Sequence, residues 1–148
     1  MTENEPFDQA PLRTLLMGVA RLSRRAWSAD LEPYGLSPHL ARAMSVIAHA
    51  GAQGIRAAEL ADALRVSPRS ATEVVDSLAE RGLADRAPDP TDRRAKVISL
   101  TAKGADLHEQ ISESRRNRDD ALFDGLDDGE RRLLADLLRK VLEHNESR

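Results

Sequence analysis

The sequence predicts a mainly α-helical chain with one small β-hairpin after its midpoint. Three observations predict it. Apolar residues recur at helical spacing over most of the length, and alternation replaces that spacing only between Leu83 and Leu100. Aromatic residues make up just 3% of the chain, so the core must be built from Leu, Val, Ile and Ala. With 148 residues the chain has the size of one domain. It contains no cysteine, which excludes disulfides, thiolate nucleophiles, cysteine zinc sites and any thiol redox switch.

The first helix follows from Leu12, Leu15, Leu16, Val19, Leu22 and Ala26, and Glu32-Pro33-Tyr34-Gly35 ends it. Ser37-Pro38 reads as an N-cap followed by a first-turn proline, whose missing N–H costs nothing there. Leu40, Met44, Ile47 and Ala48 carry that second helix to Gly51 and Gly54. A helix of two turns is expected over Ala57 to Leu64, with Ile55, Leu60 and Leu64 as its buried positions. Arg65-Val66-Ser67 is a tight turn, and Ser67-Pro68 repeats the cap-and-proline signal. Ala71, Val74, Val75 and Leu78 then fall at i, i+3, i+4 and i+7 until Gly82. Two short helices joined by three residues form a helix-turn-helix.

Leu83 to Arg86 and Lys96 to Leu100 read as strands flanking a proline- and aspartate-rich loop, Pro88 to Arg94, whose tip carries paired arginines. A hairpin in that place is a wing. Thr101 caps a long helix from Ala102 toward Phe123, with Leu107, Ile111 and Leu122 apolar. Gly125 and Asp127-Asp128-Gly129 break it. A last helix of roughly four turns carries Leu133, Leu134, Leu137, Leu138, Val141 and Leu142, a wide apolar face that something must cover. The expected organisation is a single domain over 1–148. Residues 1–51 and 105–148 form the helical regions at the two ends, and 52–104 form the winged lobe.

The net charge of −3 argues against a nucleic-acid partner only until the chain is divided. Residues 1–51 hold five basic and five acidic groups, residues 52–104 nine and eight, and residues 105–148 eight and twelve. The middle segment is the least acidic, and where its cations sit matters more than the sum.

The stretches Ala58-Glu59-Leu60-Ala61, Val66 to Leu78, Glu80-Arg81-Gly82-Leu83 and Asp89 to Gly104 together resemble the MarR family of winged-helix transcriptional regulators. The last is the most specific, an acidic–arginine wing running into a strand and then Leu100-Thr101-Ala102-Lys103-Gly104. The resemblance implies a homodimer with two winged lobes, clasped through intertwined N- and C-terminal helices, which makes residues 1–51 and 105–148 the helical dimerisation region. It also implies release from DNA by small lipophilic, often anionic or phenolic effectors. Thr91 stands where the family commonly has arginine, and Glu73 where its recognition helix often has a basic residue.

The second helix of the helix-turn-helix is expected to enter the major groove of double-stranded DNA. With Val74, Val75 and Leu78 inward, Arg69, Ser70, Thr72 and Glu73 face outward. Arg69 suits guanine O6 and N7, Ser70 and Thr72 suit base edges or phosphates, and Glu73 suits a cytosine amino group. Ser67 caps the helix, and its N–H and the helix dipole also suit a phosphate. Of Arg93 and Arg94, one is expected in the narrow minor groove. Arg94 matches the family's groove-contacting position, and Lys96 is placed for a phosphate. Read as mere solvated faces, the same residues carry surface ion pairs worth ~0–1 kcal/mol.

No cofactor, metal site or enzyme is expected. His39, His49, His108 and His144 lack ligand spacing, and no glycine loop or serine elbow is present. The competing reading is a winged-helix protein-interaction module without ligand response. Ligand-pocket residues are not assigned; Met17, Met44, His39 and His49 lie in the first two helices, where such a pocket falls. Met1 to Ala10 lacks the pattern of a secretory signal and no apolar run approaches ~20 residues, so a cytoplasmic protein without membrane contact is expected.

Overall fold

A computed structural model describes residues 7–146, so most of the acidic N-terminal segment read for a signal lies outside the described residues. The chain divides into two compact units, Met1–Arg115 and Arg116–Arg148. Among the described residues the elements run α1 (Leu12–Leu31), α2 (Pro38–His49), β1 (Ile55–Arg56), α3 (Ala57–Leu64), α4 (Pro68–Glu80), β2 (Ala84–Pro88), β3 (Lys96–Leu100), α5 (Ala102–Leu122) and α6 (Asp128–Glu146). No helix of the described residues is long and apolar enough to cross a membrane.

The helix starts form as their sequences dictate. Ser37 Oγ accepts from Leu40 N at 3.2 Å and Ser67 Oγ from Ser70 N at 3.1 Å, each ahead of a first-turn proline. The core of the first unit joins Leu31 and Leu36 to Leu40, Met44 and Ile47 of α2, Leu60 and Leu64 of α3, Val74, Val75 and Leu78 of α4, and Ile98 and Ile111. Branched and linear aliphatics do nearly all of this packing, with Trp27 against its edge. α2 therefore shares one core with the helix-turn-helix.

The wing carries a third strand that the sequence reading lacks. The sheet order is β1-β3-β2, all antiparallel, with Ile55 opposite Ile98 and Arg56 opposite Val97. Two residues are too few to show an alternation period, so by sequence Ile55 reads as a buried position of the helix that follows. β2 also begins one residue later than expected and runs on to Pro88. Leu83 is withdrawn from it because its N–H closes the end of α4 on Leu78 O at 2.9 Å, with Gly82 left-handed at φ +69°. That is the usual αL helix ending.

α6 is longer than the expected four turns, spanning 19 residues. The Asp-Asp-Gly stretch read as a breaker is in fact its start signal. Asp127 Oδ1 accepts from the N–H of Gly129 (2.8 Å) and Glu130 (2.9 Å), while Glu130 Oε2 accepts from Asp127 N. This reciprocal pattern is a capping box.

Thr101 joins the wing to α5. Its hydroxyl donates to Gly82 O at 2.6 Å and accepts from Gly104 N at 3.0 Å. Gly104 is buried so close to the Leu83 backbone that a Cβ would overlap the Leu83 carbonyl. Both partners are main chain and neither can yield cheaply. Gly104→Ala is expected to destabilise the protein by about 3 kcal/mol or more, at the upper end of overpacking. Thermal unfolding followed by circular dichroism should show a Tm lower by roughly 10 °C.

Candidate nucleic-acid interface

The two surfaces singled out by sequence are the first turns of α4 and the β2–β3 tip. Arg69 projects from the second residue of α4 with 90% of its side chain exposed, and its Nε donates to Glu73 Oε1 at 3.1 Å. Ser67 Oγ is shared between the cap and Ser70 Oγ, 3.0 Å away. Thr72 Oγ1 donates to Pro68 O one turn back, at 3.0 Å. This leaves its methyl and its two oxygen lone pairs for a ligand and removes its proton from base reading. The turn before α4 is tight enough to put Arg65 in the left-handed region at φ +56°, a conformation that costs an ordinary side chain roughly 1–2 kcal/mol.

At the wing tip Arg93 and Arg94 are both exposed, and among the described residues neither guanidinium has a hydrogen bond or ion pair. Asp92 folds the tip: its carbonyl accepts from Ala95 N and its Oδ1 from Arg94 N at 3.0 Å. Asp92 therefore shapes the backbone under Arg94 and leaves the side chain free. Lys96 is exposed opposite Pro88 at the root of the tip.

Two ion pairs that hold this surface together escape sequence reading. Asp89 is only 6% exposed and accepts four hydrogen bonds. Thr91 N and Oγ1 bond its Oδ1 at 2.8 and 2.7 Å, and Arg56 Nε and Nη2 bond its Oδ2 at 2.8 and 2.6 Å. Arg86 of β2 reaches Asp76 of α4 at 2.6 Å. The Asp89-Pro90-Thr91 turn was legible as loop chemistry. Its partner, Arg56, lies 33 positions away, and no local signal predicts that pairing. The bonds from Thr91, then that from Arg56, hold the Asp89 carboxyl well below the usual carboxylate range.

A depressed native pKa contributes stability that is present above the unfolded value of about 4 and is lost progressively as pH falls below it toward the native value. Asp89→Asn is expected to loosen the wing at neutral pH while leaving the helices intact. Amide hydrogen exchange should quicken at Thr91 and Ala95 and stay unchanged in α2. Equal exchange at the tip in both proteins would show that the carboxylate does not hold it.

Other groups surround the helical side of the first unit. Of the four residues expected near a pocket, Met44 is buried and lines a narrow cleft of about 20 Å³ with Trp27, Ser45, His108, Ile111 and Arg115. Met17, His39 and His49 are exposed. The Arg115 guanidinium lies 4.8 Å from the Trp27 ring centroid. His108 Nε2 is 3.2 Å from Ser45 Oγ, and burial lowers its pKa. Such a cleft has room for about one water. Among the described residues no cluster of His, Cys, Asp or Glu could hold a metal.

Known proteins are similar to this chain in sequence and in fold. Residues 34–95, which run from the residue before Gly35 to the wing tip, match the family model described as the MarR family. An HTH-type transcriptional regulator of Mycobacterium bovis is 35% identical over 113 residues, covering 76% of this chain and 74% of the relative. The chain belongs to the MarR family. It is a transcriptional regulator of the winged-helix type, and the solved MarR structures share its architecture. A cysteine-to-serine variant of Escherichia coli MarR, crystallised with operator DNA, is 28% identical with a TM-score of 0.71, covering 89% of this chain and 94% of that one. A MepR variant of S. aureus, 19% identical, superposes with a TM-score of 0.82 over 91% of this chain and 98% of that one, which shows the fold alone.

Proposed function

We propose that this MarR-family regulator is a homodimer that binds a pseudo-palindromic operator in double-stranded DNA as a repressor, in the cytoplasm. Ser67, Arg69, Ser70, Thr72 and Glu73 of each subunit face the major groove. Arg93, Arg94 and Lys96 of each wing grip the flanks. The observation that carries the reading is the pair of guanidinium groups at the wing tip with no partner among the described residues. A protein-interaction module has no electrostatic need for them, and a narrow, strongly negative minor groove does. The Escherichia coli MarR complex with operator DNA supports the same use of the fold.

Homodimerisation is supported by apolar faces that each unit leaves in solvent. α1 exposes Leu12, Leu16, Met17 and Leu22, and α6 exposes Leu133, Leu137, Val141 and Leu142 at half or more of their surface in most cases. Such stripes are unusual on a monomer, and twofold symmetry buries the same patch twice. Two α4 helices then read half-sites about one helical turn apart.

Relief of repression by a small lipophilic or phenolic effector completes the proposal. Such a ligand acts only through different affinities for the DNA-bound and free spacings of the recognition helices. The test is a gel shift of the purified chain on duplexes selected from a random pool, at two salt concentrations, followed by a screen of aromatic acids for release. Selection of a twofold-symmetric site supports the reading. No retention of duplex DNA in dilute buffer overturns it.

A further inference from the structure

We propose that Glu73 is a positioning residue that makes Arg69 selective for guanine, acting on the base only through the Arg69 guanidinium. This rests on the DNA-binding reading above. Three observations carry it. Arg69 Nε is committed to Glu73 Oε1 at 3.1 Å, which leaves the Nη1 and Nη2 edge of the fork without a partner among the described residues. That edge carries two parallel N–H donors, which match the O6 and N7 acceptors of guanine. Its neighbours Ser67, Ser70 and Thr72 have their hydroxyls engaged within the helix start. Among the candidate residues of α4, Arg69 alone thus keeps a parallel pair of N–H donors unspent, whereas the Ser67–Ser70 pair keeps a single hydroxyl proton.

The stability of α4 does not account for the pair. Arg69 puts a cation in the first turn, where the helix dipole disfavours it, and no acidic residue stands there. Arginine preceding glutamate by four residues is also the weaker order of an i,i+4 pair. With side chains 90% and 64% exposed, the bond contributes little to the free protein. In a groove, where water is displaced and the guanidinium must hold one orientation, the same bond restricts the rotamers that Arg69 would otherwise lose on binding. The next acid along the helix, Asp76, is occupied by Arg86 at 2.6 Å, so Glu73 serves Arg69 without competition from it.

The carboxylate has a second effect from the same position. It offsets the Arg69 charge, so the first turns of α4 attract phosphates less than a bare arginine would. Glu73 thereby lowers affinity for random DNA while raising preference for one base, and specificity is the difference between the two. A residue of merely structural importance would weaken both.

The experiment measures binding of the full-length chain to a wild-type-selected duplex, to the same duplex with the selected guanine replaced by adenine, and to a random duplex. Wild type, Glu73→Ala, Arg69→Ala and the double variant are compared, with circular dichroism confirming that each folds. Wild type should lose about 5- to 150-fold on the guanine replacement, the range of one bidentate pair. Glu73→Ala should cut that discrimination to about twofold and bind random duplex more tightly, since the repelled phosphates are relieved. In the Arg69→Ala background, Glu73→Ala should leave discrimination unchanged, the non-additivity expected of a coupled pair. Full discrimination in Glu73→Ala overturns the proposal. An equal loss with and without Arg69 also overturns it, since Glu73 would then touch a base itself. A wild-type protein that selects no duplex overturns the DNA-binding reading, and the proposal falls with it.

Discussion

Leu137→Glu should convert the protein from dimer to monomer at micromolar concentration and reduce its affinity for a two-half-site operator about a thousandfold. Leu137 is 54% exposed in the middle of the α6 stripe, between Leu133 and Val141. Burying a leucine in an interface and then removing it costs about 2–5 kcal/mol, and twofold symmetry imposes the loss twice. About 4 kcal/mol corresponds to a thousandfold. A carboxylate adds the cost of an unpaired charge against apolar surface. Because the residue is exposed within its own chain, the subunit should fold as before. Sedimentation equilibrium reads the oligomeric state directly, and a titration on single and paired half-sites reads the DNA side. An unchanged dimer would remove this face of α6 from the interface.

Arg94→Ala should weaken binding to every duplex that offers an accessible narrow groove, by roughly tenfold or more, with little change in base preference at the half-site centre. Its guanidinium has no hydrogen-bond or ion-pair partner among the described residues, so the substitution breaks no such bond there. The Arg94 backbone N–H still bonds Asp92 Oδ1, and the tip should keep its shape. If the side chain also neutralises a phosphate, the slope of log affinity against log salt falls by about one. Arg93→Ala provides the contrast, with a smaller effect expected. Unchanged affinity and slope in Arg94→Ala would take the wing out of the mechanism.

Most of the fold was legible because its signals are local. Two Ser-Pro helix starts, the i, i+3, i+4 stripe from Ala71 to Leu78 and the Leu-Thr-x-x-Gly junction each act within a few residues. What escaped was set by partners distant in the chain or by competition between neighbours. Ile55 and Arg56 form a strand only because β3 is there to pair with them. Leu83 reads as strand by pattern and is claimed instead by the end of α4. The site shows the same division. Residue type and position single out Arg69, Arg93, Arg94 and Lys96 as candidates, and all four are exposed. The Arg56–Asp89 and Arg86–Asp76 pairs are not legible, because neither an aspartate in a loop nor one on a helix face carries a local mark of the arginine it meets from another element. Thr72 shows the limit in the other direction: its residue type suggested a free hydroxyl, and its helix had a nearer use for it.

The wing and α5 are joined by Thr101 alone, and that residue is fastened at both ends. A longer tether would absorb a tilt of the helix before it reached the hairpin. With one residue of chain and a glycine jammed against the neighbouring main chain, there is no slack. Helix and hairpin therefore turn together like a crank and its handle, and whatever leans on α5 sets the angle at which the arginine tip is presented.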